Sequence, residues 1–126
     1  HVTEAVAPYE RAVQLKPDNA LLRIELAQVE LETNDPALAP KALTLLNGAV
    51  TYENRNPEAW RLLAIAYGRQ GNMGMAALSL AEQAMANGDS KDARLESARA
   101  IKLLPYGAQR QRAQDIADAA RRKSDQ

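Results

Sequence analysis

Apolar residues recur along this chain at helical spacing, and clean alternation never extends beyond a few positions. Within NPEAWRLLAIAYGRQGN, residues 56–72, Trp60, Leu63, Ala64 and Tyr67 fall at i, i+3, i+4 and i+7, one face of a helix. Gly71 then stops the run, and Ala76 and Leu80 face back from the next one. Ala5, Tyr9, Ala12, Leu15 and Pro17 form a second phased set of alternating small and large residues before a breaker. The set recurs as Ala42, Leu46, Ala49, Tyr52 and Asn54, and as Ala93, Ser97, Ala100, Leu103 and Pro105. Small residues at fixed places let two helices approach closely, and large ones fill the groove beside them.

Between these sets lie KPDN (16–19), NDP (34–36), ENRNP (53–57), QGN (70–72), NGDS (87–90) and LPYG (104–107). Each supplies a residue able to stop one helix and cap the next. The intervals predict helices near 3–16, 19–33, 38–52, 57–70, 73–87, 90–104 and 107–122. Ala and Leu dominate them, with Glu, Gln, Arg and Lys between, and strand formers are sparse. The expected fold is all-α, about seven helices with short loops, so that chain neighbours pack antiparallel.

Length suits one domain with a sizeable core. Lys plus Arg equals Asp plus Glu, 16 each, so no global charge points to nucleic acid. Residues 1–56 nevertheless carry five basic and eight acidic groups, and residues 91–126 carry nine and five. The two ends therefore differ in sign. There is no Cys, which excludes disulfides and thiolate metal sites. No apolar run approaches the ~20 residues that span a bilayer, and no secretory signal opens the chain. The chain begins inside a helical pattern, so it is expected to be a piece of a longer protein with any targeting signal upstream.

Catalytic chemistry is hard to find. The one imidazole, His1, is expected to be a boundary residue without chemistry; a single His excludes an HExxH zinc site, which needs two, and argues against Ser-His-Asp or Cys-His catalysis. Glu25, Glu30, Glu32 and Asp35 form an acidic run that helical spacing spreads around the surface, so a solvated face is expected. NGDS lacks the ligand series of a calcium loop, and no Gly-rich phosphate loop occurs. Met73, Met75 and Met85 are expected to fill gaps between helices rather than form a plastic peptide surface. Arg121, Arg122 and Lys123 read as a solvated end. No metal or cofactor is expected, and the chain is read as non-enzymatic.

The phasing resembles the tetratricopeptide repeat, a 34-residue helix hairpin with an aromatic, a Leu, a small residue and a Tyr in its first helix and two Ala in its second. Counted from Pro57, Trp60, Leu63, Ala64, Tyr67 and Ala76 occupy those places, with Gly71 at the turn. Counted from Ala20, Leu26 and Ala27 fit, Arg23 replaces the aromatic, and Glu30 replaces the Tyr. Ala42 and Ala49 fit after a short insertion in NDPALAP. The resemblance implies a right-handed α-solenoid. Residues 1–17 would be the second helix of a truncated repeat, 20–56 a repeat with an insertion, 57–90 the best-matching repeat, and 91–122 degenerate or capping helices.

AWRLLAIAYGRQGN, MGMAALSLAEQAM, GDSKDARLESARAIKLLP and RAQDI further resemble the C-terminal region of bacterial BepA-like zinc metalloproteases. That likeness implies a periplasmic or envelope location and protein partners, either the chain's own peptidase domain or protein clients. It implies neither nucleic acid nor membrane insertion, and the alternative is a free-standing scaffold. In such repeats, first helices line a ligand groove. Here the expected groove residues are Gln28 and Glu32 on one helix and Glu58, Arg61, Ile65 and Arg69 on another. Trp60, Leu63, Ala64, Tyr67, Gly71 and Ala76 are expected to pack the repeats. An apolar face on helix 3–16, left uncovered, is expected to permit a dimer.

Overall fold

The structure is a computed structural model that describes residues 2–125; His1 lies outside the described residues. Among these, seven α-helices and one short 3-10 turn account for the secondary structure, with no strand. The helices are α1 (Val2–Leu15), α2 (Ala20–Glu32), α3 (Ala39–Tyr52), α4 (Pro57–Arg69), α5 (Met73–Ala86), α6 (Ser90–Leu103) and α7 (Ala108–Ser124). The chain is therefore all-α. The expected boundaries lie within two residues of those observed. The turn at Pro36–Leu38, inside NDPALAP, was not expected.

The punctuation works by capping. Asn19 Oδ1 accepts from the Leu22 amide at 3.1 Å, Asn56 from Glu58 at 2.9 Å, Asn72 from Met75 at 3.2 Å and Asp89 from Asp92 at 3.0 Å. Each satisfies an amide that the first helical turn leaves without a partner. Gly71 and Gly88, at φ +75° and +72°, end α4 and α5 in the left-handed conformation that glycine adopts without steric penalty.

Each helix packs on its chain neighbours, and two further pairs meet across one intervening helix: α2 with α4, and α5 with α7. The buried side chains fall into two clusters. One joins Ile24, Leu31, Leu46, Leu62 and Leu63 of α2–α4, and the other joins Leu78, Ala93, Leu104 and Ile116 of α5–α7. The phased small residues Ala42, Ala49, Ala93, Ser97 and Ala100 are completely buried, as close helix approach requires. Gly74, at the start of α5, sits against Leu103 and Leu104 at the end of α6, which makes that pair antiparallel.

Arg23 has a role that only packing reveals. Its guanidinium lies across α3 and donates to three carbonyls: Leu45 at 3.0 Å, Thr44 at 3.2 Å and Pro17 at 3.1 Å. A Cβ on Gly48 would stand 2.1 Å from its Nη2. Glycine at 48 is what allows the guanidinium to lie against α3, where the resemblance would place an aromatic ring.

Candidate functional site

Two cavities join where α3 and α4 meet α5 and α7. The smaller, about 230 Å³, is lined by Asn47, Trp60, Leu63, Tyr67, Met75 and Leu78, with Ala108 and Gln109 at its edge. The larger, about 660 Å³, is lined by Val50, Asn54, Arg55, Met85 and Lys123. Trp60, Glu82 and Arg112 border both, so the two form one cleft. α3 and α7 both line it but share no packed interface, which leaves the space between them open.

The cleft is built from side chains that the helices hold in place. Trp60, on the second turn of α4, is half-buried, and its indole Nε1 donates to the Asn54 carbonyl at 2.7 Å. Tyr67 lies two turns further along the same face, and its hydroxyl accepts from Asn47 Nδ2 at 3.3 Å. Met75 and Met85 are half-buried on α5, with Ser79 and Glu82 between them at helical spacing. The Ser79 hydroxyl donates to the Met75 carbonyl at 2.8 Å within its own helix, so it is spent locally. Glu82 receives two hydrogen bonds from Arg112 of α7, Nε to Oε2 at 3.0 Å and Nη2 to Oε1 at 2.7 Å. That fork spans the cleft where its two parts join, and the carboxylate holds the Arg112 guanidinium above its usual range.

The six residues expected to form a groove do not line this cleft; on α2 and α4, Glu32 and Arg69 are exposed, while Gln28, Glu58, Arg61 and Ile65 are half-buried. The structure brings these two helices together at their C-terminal ends, where Arg69 Nη1 donates to the Leu31 carbonyl at 2.6 Å. The Leu31 carbonyl also accepts from the Asn34 amide at 3.3 Å, so Arg69 adds a second, charged donor at the end of α2. Arg61 pairs with Glu58 on its own helix, and the hydrogen bond lowers the Glu58 carboxyl below its usual range. Gln28 Nε2 donates to Glu32 at 3.3 Å. Ile65 packs on the first core cluster. Five of these six side chains are thus already hydrogen-bonded to the protein, four within their own helix and Arg69 across to α2. Among the packing residues, Leu63, Ala64 and Ala76 are buried, while Trp60 and Tyr67 are only half-buried and face the cleft.

One expectation is overturned. Glu30 does not belong to a solvated acidic face; it is 3% exposed, and its Oε1 has no hydrogen-bond partner. Burial pushes its carboxyl up to about 7, helped by Glu10 on α1 and opposed by Lys41 on α3. Charge spacing alone puts the run on the surface, but α2 packs on both α1 and α3 and this one position is buried.

Sequence reasoning passes over Asn47, Arg55, Glu82 and Arg112, and it reads Lys123 as part of a solvated end, whereas Lys123 borders the larger cavity. The available signal was the i, i+4, i+7 series Met75, Ser79 and Glu82, which mixes apolar and polar groups on one face of α5. The contribution of α7 had no local signal, because it depends on how the last helix docks.

Among the described residues no three His, Cys, Asp or Glu side chains converge as a metal site would need. No helix is long and apolar enough to cross a membrane. No family model matches the chain, and no curated protein matches it.

Proposed function

We propose that this chain is a non-catalytic protein-interaction module, a solenoid of tetratricopeptide-like hairpins that engages protein through the cleft between α3 and α7. The observation that carries the reading is the cleft itself. Trp60, Tyr67, Met75 and Met85 are left half-buried around an open space instead of being covered by a further helix. Rigid aromatics and adaptable methionines beside a few fixed polar groups are the composition of a peptide-binding surface. Packing of α2 on α4 supports the repeat counted from Ala20 to Pro57, and packing of α5 on α7 supports a change of phase after α4.

The further placement, by resemblance, is the C-terminal domain of an envelope zinc metalloprotease. There the cleft would receive either the peptidase domain or a protein client, and the cleavage chemistry would lie upstream. The parent reading frame tests that placement, which fails if no HExxH precedes this segment.

The chain itself has no Cys, so within it one introduced cysteine can carry a crosslinker, once any Cys elsewhere in the parent protein has been replaced by Ser. In the parent protein in cells, Gln109→Cys at the cleft edge should give adducts to protein, and Leu95→Cys on exposed α6 should give few. Equal labelling from both positions would sink the cleft as the binding surface. A client pool would favour the protease setting, and a single stoichiometric partner a free-standing scaffold.

A further inference from the structure

The charge around the cleft is uneven in a way the whole chain is not. The chain carries 16 positive and 16 negative side chains. The larger cavity is bordered by Arg55, Arg112 and Lys123 against a single carboxylate, Glu82. Arg112 is committed to Glu82 through both of its hydrogen bonds. Arg55 and Lys123 are exposed, and neither belongs to an ion pair among the described residues. Two cations at one open pocket, with no carboxylate left over, produce a positive potential that salt screens only over about 8 Å.

The smaller cavity differs in kind. Its floor is Leu63 and Leu78, its sides are Trp60, Tyr67 and Met75, and the polar atoms of both rings are already hydrogen-bonded to the protein. A ligand group entering it meets hydrocarbon and ring surface, which favours an apolar side chain. Trp60 borders both cavities, so the apolar slot and the cationic pocket are adjacent.

We infer that the cleft takes an acidic peptide segment, with an apolar side chain in the slot beside Trp60, Tyr67 and Met75 and neighbouring carboxylates at Arg55 and Lys123. This rests on the reading of the cleft as a protein-binding surface and adds the chemistry of its ligand. The Arg112–Glu82 fork separates the two subsites. Because it satisfies its own charges, it adds no net preference and leaves selection to Arg55 and Lys123. Single-stranded nucleic acid is the competing anion. It is disfavoured because both rings are partly covered and hydrogen-bonded, whereas stacked bases need open ring faces.

Trp60 is the only Trp, so its emission reports occupancy of both subsites directly. The full chain is titrated with a short synthetic peptide holding a Leu-Phe pair followed by consecutive Asp and Glu. The same peptide with Asn and Gln in their place, and an oligouridine, are titrated in parallel. The acidic peptide should change Trp60 emission saturably and bind about tenfold or more tighter than its amide counterpart, the gap closing as salt rises. The double variant Arg55→Glu/Lys123→Glu should keep its helical circular dichroism and lose that preference while still binding the amide peptide. Equal affinity for the two peptides would overturn the inference and leave the cleft as a peptide site. No response to either peptide would overturn both the inference and the reading beneath it. Oligouridine binding tighter than the acidic peptide would overturn the choice of ligand class.

Discussion

Arg112 of α7 holds Glu82 of α5 in a two-pronged hydrogen-bonded fork, 30 residues apart in sequence. Glu82 is mostly covered, its side chain 13% exposed, while Arg112 is half-open to solvent at 51%. The pair is the one side-chain ion pair between different helices among the described residues; the others join residues three apart on one helix. A fork in this setting is worth about 1 kcal/mol of coupling, above the usual surface pair because one partner is shielded. A double-mutant cycle of Arg112→Ala and Glu82→Gln, read by urea unfolding, should return that coupling and lose much of it at high salt. Arg112→Lys should retain less than half, since a point charge cannot fork. Zero coupling at low salt would remove the pair as a tie between α5 and α7.

Gly48 and Arg23 make a sharper prediction because its sign reverses. Gly48→Ala gains helix propensity of about 1 kcal/mol. Its new Cβ would also lie 2.1 Å from Arg23 Nη2 and displace a guanidinium bonded to three carbonyls. Hydrogen bonds from charged donors are worth about 1.5–3 kcal/mol each when shielded and less here, where two of the three are exposed. Gly48→Ala should therefore destabilise the chain by about 1 kcal/mol. In an Arg23→Ala background the same substitution should stabilise it by about 0.5–1 kcal/mol. Thermal unfolding of the four proteins checks both signs.

Glu30 sets a pH dependence. An unfolded carboxyl titrates near 4.5, and in the fold this one titrates at about 7. The folded state therefore holds a proton that the unfolded state has released between those values. Stability from this group is fully present below about pH 4.5 and falls as pH rises through 7, by up to about 3 kcal/mol. Glu30→Gln keeps the neutral shape and should flatten that decline, leaving the variant more stable than the parent at pH 8. If the two stability profiles run parallel from pH 5 to 8, Glu30 is solvated or finds a partner.

Trp60 is half-buried rather than enclosed, so Trp60→Ala should cost about 2–3 kcal/mol, below the range for a fully buried Trp. Trp60→Phe keeps most of the contact but leaves the Asn54 carbonyl without its indole donor, a loss of about 1 kcal/mol. Chemical denaturation of both variants measures the difference. A loss above about 4 kcal/mol for Trp60→Ala would mean the cleft closes over the ring.

Helix number and position were legible because their causes are local. Asn19, Asn56, Asn72 and Asp89 cap the amides that follow them whatever the rest of the chain does. Gly71 and Gly88 stop helices for an equally local reason. Small residues such as Ala42, Ala49, Ala93 and Ala100 announced which faces would be buried. The candidate site was far less legible. Arg69 reads as a free groove cation, but the end of α2 supplies a carbonyl that takes it. Glu30 reads as surface charge, but α2 packs on both α1 and α3 and this position is buried.

The sequence by itself determined an all-helical chain, its seven helices, their caps and the small-residue stripes along which they pack, since each depends on residues within a turn or two of one another. Tertiary structure decided that α5 packs on α7 and not only on its chain neighbours, and so it decided where the cleft lies. Packing between non-adjacent helices is chosen by the summed fit of many side chains, and no local pattern encodes that sum. For the same reason Trp60 and Tyr67, legible as helix-packing residues, also line an open space that includes Arg112 from the last helix.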